Sequence, residues 1–191
     1  MVNKVINEIK TALDNDLYIL ALIGTLTLID TCGKAEYPNK GVGDRYRDWY
    51  DNFIHKYEVS SGYAKVLKCK FPEITGEVVY SLRCALLHED NPNIQIDKIK
   101  NKDNKITKFV LEIEKKNKFD IYVNSFGVRY ILDEKDIKID REYNLSVRGF
   151  CLKICQECEK YYNLHKNKFK FDYNILDIDK VREEIRQNEN S

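Results

Sequence analysis

The apolar residues change their period along the chain, and the changes divide it into elements. Over 2–13 they fall at Val2, Val5, Ile6, Ile9 and Leu13, a spacing that lays one stripe along a helix. Asn15 and Asp16 can end that helix and cap the next. Residues 17–31 are apolar almost all round, as a helix in the middle of a fold is, and Cys32-Gly33 reads as its stop. After a loop over 38–43, Asp44 reads as the N-cap of a helix. Tyr46, Trp49, Tyr50, Phe53, Ile54 and Tyr57 share one face of it. That aromatic stripe suits a core or a base-stacking platform, and core is the preferred reading. Pro72 introduces a helix over about 73–88, with Val78, Leu82, Ala85 and Leu86 as its buried stripe, and Pro92 marks the exit.

The period then shortens to two. Phe109, Leu111 and Ile113 alternate with other residues, a Lys-rich turn covers 115–118, and Phe119, Ile121 and Val123 alternate again. This pattern predicts an antiparallel β-hairpin, with a short third strand over 128–132. Asp140 reads as the N-cap of a long helix to about Asn163, striped by Val147, Cys151, Ile154, Cys158 and Tyr161. A short terminal helix follows over 177–188. The expected fold is mainly α: a helical bundle with a small inserted antiparallel β-hairpin at about 106–132, forming a single domain over 1–191.

Length and charge narrow the function classes. The chain has 191 residues, one domain's worth, and can bury a core without staples. Basic residues number 32 and acidic residues 31, so any nucleic-acid contact must come from a local patch. The N-terminus has no signal-peptide pattern, and the longest apolar run, 17–29, is too short to span a bilayer. A cytoplasmic location without a membrane partner is expected. The six cysteines read as thiols in a reducing compartment.

Several motifs invite a chemical reading. Cys151, Cys155 and Cys158 lie on one helix face. A structural zinc needs four ligands, and no second CxxC or HxxxH supplies the rest. The expectation is core-facing thiols, with no metal and no cofactor. Gly41-Val42-Gly43 is not a phosphate loop, since no Lys-Ser or Lys-Thr follows. Over 160–173, lysines interleave with Tyr and Phe. Lys166, Lys168 and Lys170 are therefore candidate contacts to an RNA backbone, against the alternative of a solvated tail.

The remaining candidate is Arg83-Cys84-Ala85-Leu86-Leu87-His88. Five helical steps rotate by about 140°, so the Arg83 and His88 side chains converge only if the helix loosens near His88 or Arg83 reaches around. His88, with an unperturbed pKa of about 6.5, can move protons at neutral pH. Arg83 can hold a phosphate through two parallel hydrogen bonds. The alternative is structural, with Arg83 paired to a carboxylate and His88 offsetting the helix dipole.

An Arg, four to six residues and a His near the end of a helix in a helical bundle resembles the signature of the HEPN superfamily. Tyr80-Ser81-Leu82 and the aromatic helix over 46–57 are similar to those of several bacterial members. The resemblance covers roughly 16–91 plus the long helix after Asp140, and it leaves the hairpin as an insertion. It implies a metal-independent endoribonuclease, in a toxin–antitoxin or phage-defence setting, with Arg83 and His88 as catalytic residues. It also implies a homodimer in which two motifs form one composite site, with RNA as substrate and an antitoxin or another protein as partner. The residue after the Arg is commonly polar in active members, and here it is Cys84. The alternative is therefore a catalytically silent HEPN-like module that binds RNA, a nucleotide or a protein partner.

Overall fold

The computed structural model describes residues 2–56, 74–89, 99, 106, 108–115, 125–132, 137–170 and 177–189, with the side chains at 88–89, 125–132, 137–141 and 189 left out. Among the described residues the protein is mainly helical with one small sheet. Helix α1 spans Val2–Asp14, α2 Tyr18–Glu36 and α3 Val42–Tyr50, and α3 runs on into a π-turn, Asp51–His55. Helix α4 spans Gly76–Cys84 and runs on into a second π-turn, Ala85–Glu89. Strands β1 (Lys108–Glu112), β2 (Ser125–Leu132) and β3 (Ile137–Ser146) precede the long α5, Val147–Leu164. A 3-10 turn at Lys166–Lys168 and the terminal α6, Ile178–Glu189, complete the described chain.

The apolar stripes do what their spacing predicts. Val2, Ile6, Ile9 and Leu13 of α1 are buried, and so are Leu22, Leu26 and Ile29 of α2. Helix α2 is the hub and packs against α1, α3 and α5. Tyr46, Trp49, Tyr50 and Ile54 are buried, so the aromatic stripe is core; its last expected member, Tyr57, lies outside the described residues. Trp49 and Phe53 stack at 5.5 Å, and Tyr161 of α5 meets both rings edge-on at 5.5 and 5.0 Å. Such contacts add specific geometry to the area they bury. Buried Arg148 ties the start of α5 to the end of α1, donating to the Leu13 carbonyl at 3.0 Å and to Asp14 at 2.8 Å. A guanidinium there satisfies an end carbonyl and complements the helix dipole.

Four expectations need correction. Cys32-Gly33 does not stop α2, which continues to Glu36. Gly33 instead permits close approach: a Cβ there would stand 2.8 Å from the Arg45 carbonyl oxygen. The continued helix is long and apolar enough to cross a membrane by length and composition, and just over half of it is buried inside the fold. Helix α3 begins at Val42 after Gly41, not after Asp44.

The sheet is the third departure. Its order is β1-β3-β2, and β1 pairs with β3 in parallel, Phe109 opposite Tyr143 and Leu111 opposite Leu145. The antiparallel hairpin expected over 109–123 is therefore not how β1 is paired; its second strand, 119–123, lies outside the described residues. The antiparallel pairing present joins β2 to β3, with Leu132 opposite Ile137. Parallel neighbours need a long crossover, which local alternation does not encode. The fourth correction follows from it: Asp140 lies inside β3, and the cap of α5 is Ser146, whose hydroxyl accepts from the Gly149 amide at 3.2 Å.

Candidate functional site

Three helices converge on Arg83. Thr75 caps α4 by accepting from the Val78 amide, and the Asp51 carboxylate accepts from the Gly76 amide at 2.6 Å. A Cβ on Gly76 would stand 2.4 Å from the Arg47 carbonyl oxygen. Gly76 and Gly33 thus let α4 and α2 lie against the backbone of α3 at Arg47 and Arg45. This double approach brings Asp30 of α2, Arg45 and Arg47 of α3, and Tyr80 and Arg83 of α4 into one cluster.

Asp30 is the centre of its charge. Arg45 Nε donates to Asp30 Oδ1 at 2.9 Å, while Arg83 Nη2 stands 4.0 Å from Oδ2. The two pairings differ in kind, since 2.9 Å is a good charge-assisted hydrogen bond and 4.0 Å is not a hydrogen bond. Arg45 therefore holds the carboxylate by a hydrogen bond, while Arg83 shares it only through a longer ion pair. The Arg83 side chain is only 17% exposed, and its Nε is shut from solvent with no hydrogen-bond partner among the described residues. An arginine has five N–H donors. A buried guanidinium nitrogen without a partner carries a desolvation cost that a bound anion would relieve.

The surroundings add two polar features. The Tyr46 hydroxyl is buried without a partner among the described residues. Burial pushes its pKa well above the ordinary phenol value, and Arg83 pulls the other way. The guanidinium carbons of Arg47 and Arg83 lie 5.4 and 5.9 Å from the centroid of the Tyr80 ring. Burial, then the Cys84 thiol that hydrogen-bonds to it, raises the Tyr80 phenol.

His88 lies in the π-turn that follows α4, and its side chain is among those outside the description. The turn itself bears on the geometry. Its i→i+5 hydrogen bonding is a loosening of the α-helical ladder, of a kind frequent at functional sites. This is the departure from regular helix that residues five apart need in order to share a face.

The lysine candidates are placed elsewhere. Lys168 Nζ is bonded to the Glu36 carboxylate, which also accepts from the Tyr161 hydroxyl at 2.5 Å. Burial alone would raise Glu36, but these two bonds outweigh it and its pKa is lowered. Lys166 is exposed near the Tyr162 ring at 6.0 Å, and Lys170 is exposed. Asp30 and Glu36 are six residues apart on α2, about 9 Å along the axis and about 120° around it. Lys168 and Arg83 therefore stand off different faces of α2. Cys151, Cys155 and Cys158 are buried, as expected of core thiols, and burial pushes Cys151 and Cys155 up to about 12. Among the described residues no group of His, Cys, Asp or Glu is arranged to hold a metal ion.

Asp30, Arg45 and Arg47 are not marked as site residues by any local motif. One signal was present: Asp30 is an acidic residue ending an apolar run, and charged residues in buried helices are rarely left unpaired. Compared with known proteins, the chain matches no family model, no curated protein and no solved structure.

Proposed function

We propose that the protein is a metal-independent endoribonuclease of the HEPN type, with Arg83 as the phosphate ligand and His88 as the proton-transfer group. The observation that carries this reading is the Arg83 guanidinium, sheltered from water with its buried Nε unpartnered among the described residues and the carboxylate 4.0 Å from it already hydrogen-bonded to Arg45. In the reaction, the RNA 2′-OH attacks the adjacent phosphorus, a base takes its proton, and the 5′-oxygen leaves with a proton from an acid. The products are a 2′,3′-cyclic phosphate and a 5′-hydroxyl. Arg83 offsets the negative charge that gathers on the phosphoryl oxygens. One histidine performs one of the two proton transfers. Pairing two copies about a twofold axis supplies the second, which is why the active form in this reading is a homodimer. A toxin or defence setting, with an antitoxin as partner, belongs to the same proposal.

The test is incubation of the purified protein with single-stranded RNA in EDTA. Cleavage that leaves cyclic-phosphate ends and spares DNA, which lacks the nucleophile, is the expected result. Cys84, standing where active relatives commonly carry a polar residue, favours a second reading, a silent module that binds RNA or another anionic ligand. Arg83-dependent RNA binding without cleavage would select it. Absence of both would remove the two readings together.

A further inference from the structure

We propose that Arg47 is a second phosphate contact, so that the site grips two neighbouring phosphates of one RNA strand. This rests on the reading of Arg83 as a phosphate ligand. The three arginines of the cluster are not equivalent. Arg45 is committed to Asp30 by a 2.9 Å hydrogen bond and is 15% exposed, so its role is to hold the cluster together. Arg83 is the sheltered cation, with a buried Nε that has no partner among the described residues and a 4.0 Å ion pair to Asp30. Arg47 is 33% exposed, and its one ion pair among the described residues is with Asp44, three residues back in the same helix and itself 67% exposed. A pair so open to solvent is weak and exchangeable, so a phosphate can replace Asp44 without unpairing a buried charge.

Tyr80 sets the spacing. The Arg47 and Arg83 guanidinia lie 5.4 and 5.9 Å from its ring centroid, so one ring positions both cations that would meet adjacent phosphates. Contact with the ring face pre-orients a planar guanidinium and leaves its edge donors free. Gly43 makes room for this arrangement. A Cβ there would stand 3.3 Å from Arg47 Nη1 and 3.3 Å from Tyr80 Cζ, pressing on the two groups the contact uses and on nothing of the backbone.

The experiment is a salt titration of binding, read by fluorescence anisotropy. The probe is a fluorescein-labelled pentauridylate with 2′-O-methyl groups, which cannot be cleaved by its own 2′-oxygen. Arg47→Ala should weaken binding roughly tenfold and reduce the slope of log affinity against log salt by about 0.7, one single-strand phosphate contact. Competition by uridine 3′-monophosphate, which offers one phosphate, should be unchanged by Arg47→Ala and lost in Arg83→Ala. Gly43→Ala should weaken the pentamer without lowering the melting temperature, and it decides the matter if Arg47→Ala fails to fold. Wild-type affinity and slope in both Arg47→Ala and Gly43→Ala, with Arg83→Ala still impaired, would overturn the second contact and leave the Arg83 reading intact. Wild-type binding in Arg83→Ala, or no binding by the wild type, would overturn both.

Discussion

Replacing Gly76 by alanine tests the packing on which the site depends. Among the described residues no glycine has positive φ, so the substitution meets no backbone strain and its effect is steric. The new Cβ would stand 2.4 Å from the Arg47 carbonyl oxygen, 2.7 Å from its Cα and 2.9 Å from its carbonyl carbon. These are backbone atoms of a packed helix, which no rotamer change can move. Restoring ordinary contact requires α3 and α4 to part by ~1 Å. Overpacking of this sort costs about 1–3 kcal/mol. The helix-propensity gain of alanine over glycine returns at most about 1 kcal/mol. The Gly76 amide also moves away from the Asp51 carboxylate that accepts from it at 2.6 Å. A net loss of about 1–2 kcal/mol corresponds, for a chain of this size, to a melting temperature lower by roughly 3–6 °C. The same displacement carries Tyr80 and Arg83 away from Arg47 and Asp30, so RNA binding should fall as well. Thermal melts of Gly76→Ala beside Gly43→Ala, which meets only side-chain ends, make the assay. A Gly76→Ala protein that melts at or above the wild-type temperature would refute the close approach of α3 and α4.

Other consequences are equally open to measurement. Tyr46→Phe removes a buried hydroxyl that has no partner among the described residues, so the melting temperature should stay level or rise, by up to about 1 kcal/mol of stability; a clear drop would reveal a bond to that hydroxyl. The carboxyl of Glu36 is held below its ordinary value against the opposing effect of burial. Its contribution to stability is therefore present above the unfolded pKa of about 4.3 and is lost as pH falls through the lower folded value. Melts of Glu36→Gln should accordingly decline less than wild type between about pH 5 and pH 3, and parallel declines would contradict the Lys168–Glu36–Tyr161 arrangement. Thiols raised to about 12, as at Cys151 and Cys155, present almost no thiolate near neutrality. They should react with a disulfide reagent only on unfolding, as read by mass mapping of the modified cysteines.

Helical periodicity was legible because each stripe is local. Val2 to Leu13 and Val147 to Tyr161 place their apolar residues on one face whatever lies opposite, and both helices form as their spacing predicts. The strand β3 was obscured by a competing signal. Ile137, Ile139, Tyr143 and Leu145 alternate, but Arg141 breaks the apolar run and Asp140 has the chemistry of a cap. The pairing of β1 with β3 depends on a crossover between distant segments, so nothing in 108–112 specifies it. Gly33 shows a related ambiguity. A glycine after an apolar run serves equally well as a helix stop or as the gap into which another backbone fits, and only the position of Arg45 decides between them. At the site, Arg83 and the loosened helix end near His88 were readable from spacing and the nearby Pro92. Asp30, Arg45 and Arg47 were not, because their relation to Arg83 arises only when α2, α3 and α4 come together. Lys168 looked available in sequence for the same reason: its partner Glu36 is remote along the chain and belongs to the helix that was expected to stop short of it.

The most direct test of the central claim compares wild type, Arg83→Ala and His88→Ala for cleavage of single-stranded RNA in EDTA, with a thermal melt of each protein alongside. Cyclic-phosphate products are expected from the wild type and none from either variant. Arg83→Ala should also stay folded, with at most a modest drop in melting temperature, since among the described residues Arg83 makes only a 4.0 Å ion pair to Asp30 and a contact with the Tyr80 ring. Undiminished cleavage in either variant, or an Arg83→Ala protein that unfolds, would contradict the claim.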